Sequence, residues 1–170
     1  MNGGKGMYWD KWIGYFSGVS QPETHHMGIG AFLLNPAGEV VWQAHQTTGK
    51  GTKELANYLA LLMVVSEAAT HHQARRLTLL GDFGPVIAQV NGEQVLENQS
   101  EIEVAKQVWT IMHNFDICSV KRVSLNENRD AIELAKSSFA KVNSEFELQK
   151  SAVQALQEVN FAGSLQLNSK

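Results

Sequence analysis

The sequence predicts an α/β fold: a mixed five-stranded sheet, three antiparallel strands and then two parallel ones, flanked by helices, with an extra C-terminal helix. Three observations carry this expectation. Short apolar runs broken by turn signals fill the first third of the chain, and apolar residues recur at helical spacing after Thr52. Two later apolar runs each follow a helical segment, which is how parallel strands are reached.

The first three strands are Trp12–Phe16, Met27–Leu34 and Glu39–His45, and the turn signal Asn35-Pro36-Ala37-Gly38 joins the second and third as a hairpin. Thr52 is the expected N-cap of a helix reaching His71, with Leu55, Leu59, Leu62, Met63 and Ala69 on its apolar face. Arg75–Leu80 is the fourth strand. It leads through Asp82-Phe83-Gly84-Pro85, where the proline suits the first turn of a short helix ending at Val90. Ser100 is the expected cap of a helix from Glu101 to Phe115, and Ile117–Val123 is the fifth strand. A helix from Asn128 to Val142 follows. A separate one from Ser144 to Val159 places Phe146, Val153, Leu156 and Val159 near one face. The expected organisation is a flexible arm over residues 1–11, one domain over 12–142, and a C-terminal helix and tail over 143–170.

A chain of 170 residues with 44% hydrophobic content supports one domain with its own core. A net charge of -3 excludes a bulk positive field for nucleic acid or anionic membrane, so any polyanion site must be local. The lone Cys118 excludes an intrachain disulfide framework, and no Cys/His cluster has zinc spacing. The N-terminus has no apolar run of signal-peptide length and no later stretch approaches a membrane span, so the expected location is cytoplasmic.

Five strings, in order, carry a resemblance. Tyr15-Phe16-Ser17-Gly18, the Gly28-to-Ala31 run with Asn35-to-Glu39, the helix opening TKELANYLAL from Thr52, Leu80-Gly81-Asp82-Phe83 leading to Gln89-to-Glu93, and Asn128-to-Ala135 resemble motifs of the ribonuclease H superfamily, type 1 branch. The resemblance covers Trp12 to Ala140 and implies the same mixed sheet. It also implies hydrolysis of the RNA strand of an RNA–DNA hybrid by two Mg²⁺ ions held on four carboxylates. Two cations about 4 Å apart activate a water and steady the leaving oxygen, and they need several hard anionic oxygens.

Three of those four carboxylates are missing. The motif positions fall on Ser17, Asn57, Asp82 and Ile132, and Asp82 alone keeps the acid. Ser and Asn bring no charge, and Ile brings no ligand. Glu54 lies one helical turn before Asn57 and is the nearest substitute on the same face. Asp130 and Glu133 are swung about 160° and 100° around the helix from Ile132 and do not replace it. The plain alternative for Asp82 is a cap on the short helix after it.

The candidate nucleic-acid contacts are Lys50, Thr52 and Lys53, two cations at a helix N-terminus on a Gly-rich loop, with a solvated turn as the plain alternative. Gly49-Lys50-Gly51-Thr52 lacks the spacing of a P-loop. The acidic run Glu93 to Glu103 opposes a duplex there. The basic pairs Arg75-Arg76 and Lys121-Arg122 and the paired histidines read as solvated surface, and Trp9, Trp12, Trp42 and Trp109 as core aromatics. The leading expectation is a catalytically inactive ribonuclease H-like module that binds nucleic acid, or a protein through its C-terminal helix, with no cofactor. Its rival is an active Mg- or Mn-dependent ribonuclease that holds metal on Asp82 and Glu54.

Overall fold

The computed structural model describes residues 10–167; Trp9 and nearly all of the expected N-terminal arm lie outside the described residues, as does the end of the tail. The strands are β1 (Lys11–Ser20), β2 (His26–Leu34), β3 (Val40–Lys50), β4 (Arg76–Gly81) and β5 (Ile117–Arg122). The helices are α1 (Lys53–Thr70), α2 (Gly84–Val90), α3 (Gln99–Met112) and α4 (Arg129–Leu167). The sheet order is β3-β2-β1-β4-β5, with β1, β2 and β3 antiparallel and β4 and β5 parallel to β1, as the sequence predicts.

Residues up to Ser138 form one compact unit and those from Phe139 a second. In the first, α1 lies on β1, β2 and α3, and the core forms where Phe16, Leu33, Tyr58, Leu61, Val64, Leu77 and Leu79 meet. Two glycines let helices approach this sheet from its two faces. A Cβ on Gly18 would fall 2.2 Å from the Asn57 backbone nitrogen in α1, and one on Gly30 would fall 2.3 Å from that of Ala135 in α4. Ser17 pairs with Gly30 across β1 and β2, so its side chain shares the α4 face, while Gly18 faces α1.

Three local expectations are corrected. Asn98, not Ser100, caps α3, because its Oδ1 accepts from the backbone N–H groups of Ser100 and Glu101. Lys50 is the last residue of β3, paired with His26, rather than part of a loop. The break expected at Asn143 is absent: α4 is one helix of 39 residues, since neither Gly nor Pro occurs between Arg129 and Ala162 to stop it. Within the second unit Leu148, Val153, Leu156 and Val159 are exposed.

Candidate functional site

The site lies where β4 parts from β1. β4 accompanies β1 only to the Tyr15–Leu80 pair, whereas β2 accompanies it to Ser20. Beyond Tyr15, therefore, one edge of β1 has lost its strand partner, and buried backbone groups there need others. The four motif positions are Ser17 on β1, Asn57 on α1, Asp82 just after β4, and Ile132 in the first turn of α4; hydrogen bonds tie Asn57 to β1 directly and Asp82 to it through Asn128.

Asn57 is 1% exposed and spends its amide on backbone. Its Oδ1 accepts from the Gly18 N–H at 3.1 Å, and its Nδ2 donates to the carbonyls of Gly18 at 3.0 Å and Lys53 at 2.9 Å. Asp82 does not cap α2. The cap position is Phe83, without a side-chain bond, and Asp82 Oδ1 instead accepts from Asn128 Nδ2 at 2.5 Å. The same Nδ2 donates to the Phe16 carbonyl at 2.9 Å. Asn128 is fully buried, and its Oδ1 has no partner. Sequence reasoning missed Asn128 as a site residue. The available signal was its position at the head of the string that carries Ile132. Ser17 is buried and Ile132 half-buried. Asp82 also lines a shallow cleft of about 420 Å³ with Arg122, Ser124 and Glu127.

The acids nearest the motif positions have other charged neighbours. Glu54 stands close enough to Glu101 for its charge to raise the Glu101 carboxyl, and Glu133 faces Lys136 at 3.9 Å. Among the described residues no three His, Cys, Asp or Glu side chains gather in a way that holds a metal ion.

Lys50, Thr52 and Lys53 do come together. With Ser20, Gln21, Pro22, His25 and Gly51 they line an open cleft of about 590 Å³ at the N-terminus of α1. Gln21, Pro22 and His25 were not expected there; they come from the β1–β2 turn, which pairing of His26 with Lys50 brings alongside. Thr52 caps α1 by accepting from Leu55 N–H at 3.0 Å and donates to Glu101 Oε1 at 3.3 Å. The Lys53 ammonium lies 4.9 Å from the Phe83 ring centre, beside Asp82 in sequence. Glu101 is thus turned inward at 7% exposure, which removes one acid from the expected acidic rim. Burial raises its carboxyl above the ordinary range, the Thr52 bond opposes this, and Glu54 adds to it.

Trp109 donates to the Val90 carbonyl, and Trp12 and Trp42 pack on the core, so these aromatics are structural. Arg75 pairs with Asp116, and Cys118 is half-buried with its thiol pushed up to about 12 by burial.

An α/β fold with this strand order and these motif positions defines a ribonuclease H-like protein. The chain belongs to the reverse transcriptase-like family of that superfamily, type 1-like, whose model matches residues 16–138. Among solved structures it is similar to ribonuclease H1 from the halophilic archaeon Halobacterium salinarum, with 24% identity, TM-score 0.73, and coverage of 77% of this chain and 98% of that one. It is also similar to the N-terminal ribonuclease H domain of a Mycobacterium tuberculosis protein, solved as a fusion with maltose-binding protein, at 20% identity and TM-score 0.74, covering 79% and 97%. A third, LC11 ribonuclease H1 from compost, solved in complex with an RNA/DNA hybrid, has 16% identity and TM-score 0.70, covering 77% and 98%. Comparison with curated protein sequences yields no match.

The residues present do not fit a two-metal centre. Asp82 is the one carboxylate at the four motif positions, its Oδ1 is taken by Asn128, and the Asn57 amide is committed to Gly18 and Lys53.

Proposed function

We propose that this chain is a ribonuclease H-like protein without nuclease activity that works, in the cytoplasm and without a metal cofactor, as a nucleic-acid-binding module. The observation that carries the reading is the Asn57 amide, bound to backbone on both its nitrogen and its oxygen where the chemistry needs a carboxylate. The cleft at the start of α1 supplies the binding surface: Lys50 and Lys53 bring charge to a helix N-terminus, where phosphate oxygens are favoured.

The test is fluorescence anisotropy of the full chain with a short labelled RNA–DNA hybrid at several salt concentrations. The same hybrid is then incubated with protein and Mn²⁺ and resolved on a denaturing gel. Binding that weakens with salt, with no cleavage, is expected. Replacing both cations, Lys50→Glu with Lys53→Glu, should lower the slope of log affinity against log salt by about 2, at roughly 0.9 per phosphate contact. Cleavage that Asp82→Asn abolishes would sink the proposal in favour of a Mg- or Mn-dependent ribonuclease using Asp82 and Glu54.

A second reading rests on α4. The exposed Leu148, Val153, Leu156 and Val159 give its second half an apolar surface suited to pairing with another copy of the chain.

A further inference from the structure

We infer that Asn57 and Asn128 form a metal-independent amide clasp, which closes the open edge of β1 at the place where hybrid-cleaving relatives are expected to hold cations. The inference shares with the proposed function the lack of a metal centre, but not the nucleic-acid binding. Its test uses neither hybrid nor cleavage.

Alternate residues of a strand send their N–H and C=O groups to the same edge. Phe16 and Gly18 therefore share an edge, and β4 has already left it at Tyr15. Asn57 meets Gly18 as a residue of an opposing antiparallel strand would, accepting from its N–H and donating to its carbonyl. One primary amide can do this because it carries the same donor and acceptor as a peptide group. An ionised carboxylate of the same size accepts from the Gly18 N–H but sets negative oxygen against the carbonyls of Gly18 and Lys53.

Asn128 applies the same chemistry to the neighbouring acceptors. Both its donated bonds go to oxygen, one to the Phe16 carbonyl and one to the Asp82 carboxylate, so a single neutral group ties β1, the end of β4 and the approach to α4. The two acceptors on its nitrogen fix the orientation of the amide, since turning it over would set oxygen against both, and its own Oδ1 is left buried and unpartnered. In a metal-holding centre cations offset the mutual repulsion of clustered acids. Here the acids are gone, and amide hydrogens face the remaining carboxylate.

Thermal denaturation of the full chain tests the clasp. The wild-type midpoint should stay within about 1 °C between EDTA and millimolar Mg²⁺ or Mn²⁺, because an ion bound to the native state raises it by mass action. Asn128→Asp should melt well below wild type at pH 8 and regain part of the loss at pH 5, where two adjacent carboxyls share a proton. Asn128→Ala should lose stability at both values without that recovery. If Asn128→Asp does not fold, hydrogen exchange on the wild type decides: the Gly18 amide should be protected like a central strand residue and unaffected by EDTA. A wild-type midpoint raised several degrees by metal, an Asn128→Asp midpoint equal to wild type at pH 8, equal pH dependence in both variants, or a Gly18 amide exchanging like a loop would each overturn the inference.

Discussion

Replacing Asn57 with alanine should cost the protein far more than an average buried polar substitution. The side chain is 1% exposed and bridges α1 to β1, so its removal leaves the Gly18 N–H and carbonyl buried with no strand to receive them. The Lys53 carbonyl is less affected, since it lies in the first turn of α1 and retains a helical partner there. A buried backbone group left unpaired costs about 1–3 kcal/mol, so the two Gly18 groups set a loss of about 2–6 kcal/mol. For a chain of this size each 1 kcal/mol moves the melting midpoint by roughly 2–4 °C, which puts the expected fall near 10 °C. Urea denaturation followed by circular dichroism measures it, with an unchanged slope showing that the unfolded state is the same. Asn57→Asp keeps the volume and one acceptor, and at neutral pH should be at least as damaging; this separates lost hydrogen bonds from a cavity. A loss below about 1 kcal/mol in the alanine variant would refute the bridging argument.

Further outcomes concern groups around the site. The Glu101 carboxyl is raised by burial above its ordinary value of 4.5, so the folded chain takes up protons there and stability falls as pH climbs from that value through the raised one. Glu101→Gln should therefore melt higher than wild type at pH 7 and alike at pH 4, and a lower midpoint at pH 7 would contradict the sign. The Cys118 thiol, at about 12, should react with a disulfide reagent at pH 8 far more slowly in native protein than in urea. Rapid native modification would show that its strand opens. Light scattering should give a dimer mass for the full chain and a monomer for Leu156→Glu, whose parent side chain is 65% exposed; equal masses would remove self-pairing through α4.

The frame was legible because each strand and helix carries its own periodicity and punctuation: Asn35-Pro36-Ala37-Gly38 does turn β2 into β3, and Thr52 does cap α1. That the resemblance sets Ser17, Asn57 and Ile132 at carboxylate positions was legible because motif positions are a matter of sequence order. The hydrogen bonding around those positions was not. Asn57 could be seen to lack charge, but that its amide meets Gly18 depends on where β4 stops, a property of pairing between distant segments. Asn128 stood only as the first residue of a helix and of a motif string, because nothing local says that it is fully buried. The continuity of α4 was hidden for the opposite reason: Asn143 and Ser144 are weak helix formers, yet with no Gly or Pro between Arg129 and Ala162 the helix runs through them.

The amide clasp also bears on what it would take to build a cation site in this chain. Restoring acid at position 57 alone strips hydrogen bonds from Gly18, and restoring it at 17 alone adds an uncompensated charge to a buried strand position. Each single step toward a metal-holding centre is thus penalised in folding before any cation can offset it. Building a cation site here therefore takes several substitutions together, because ordinary hydrogen bonds already occupy the groups that a lone acid would displace.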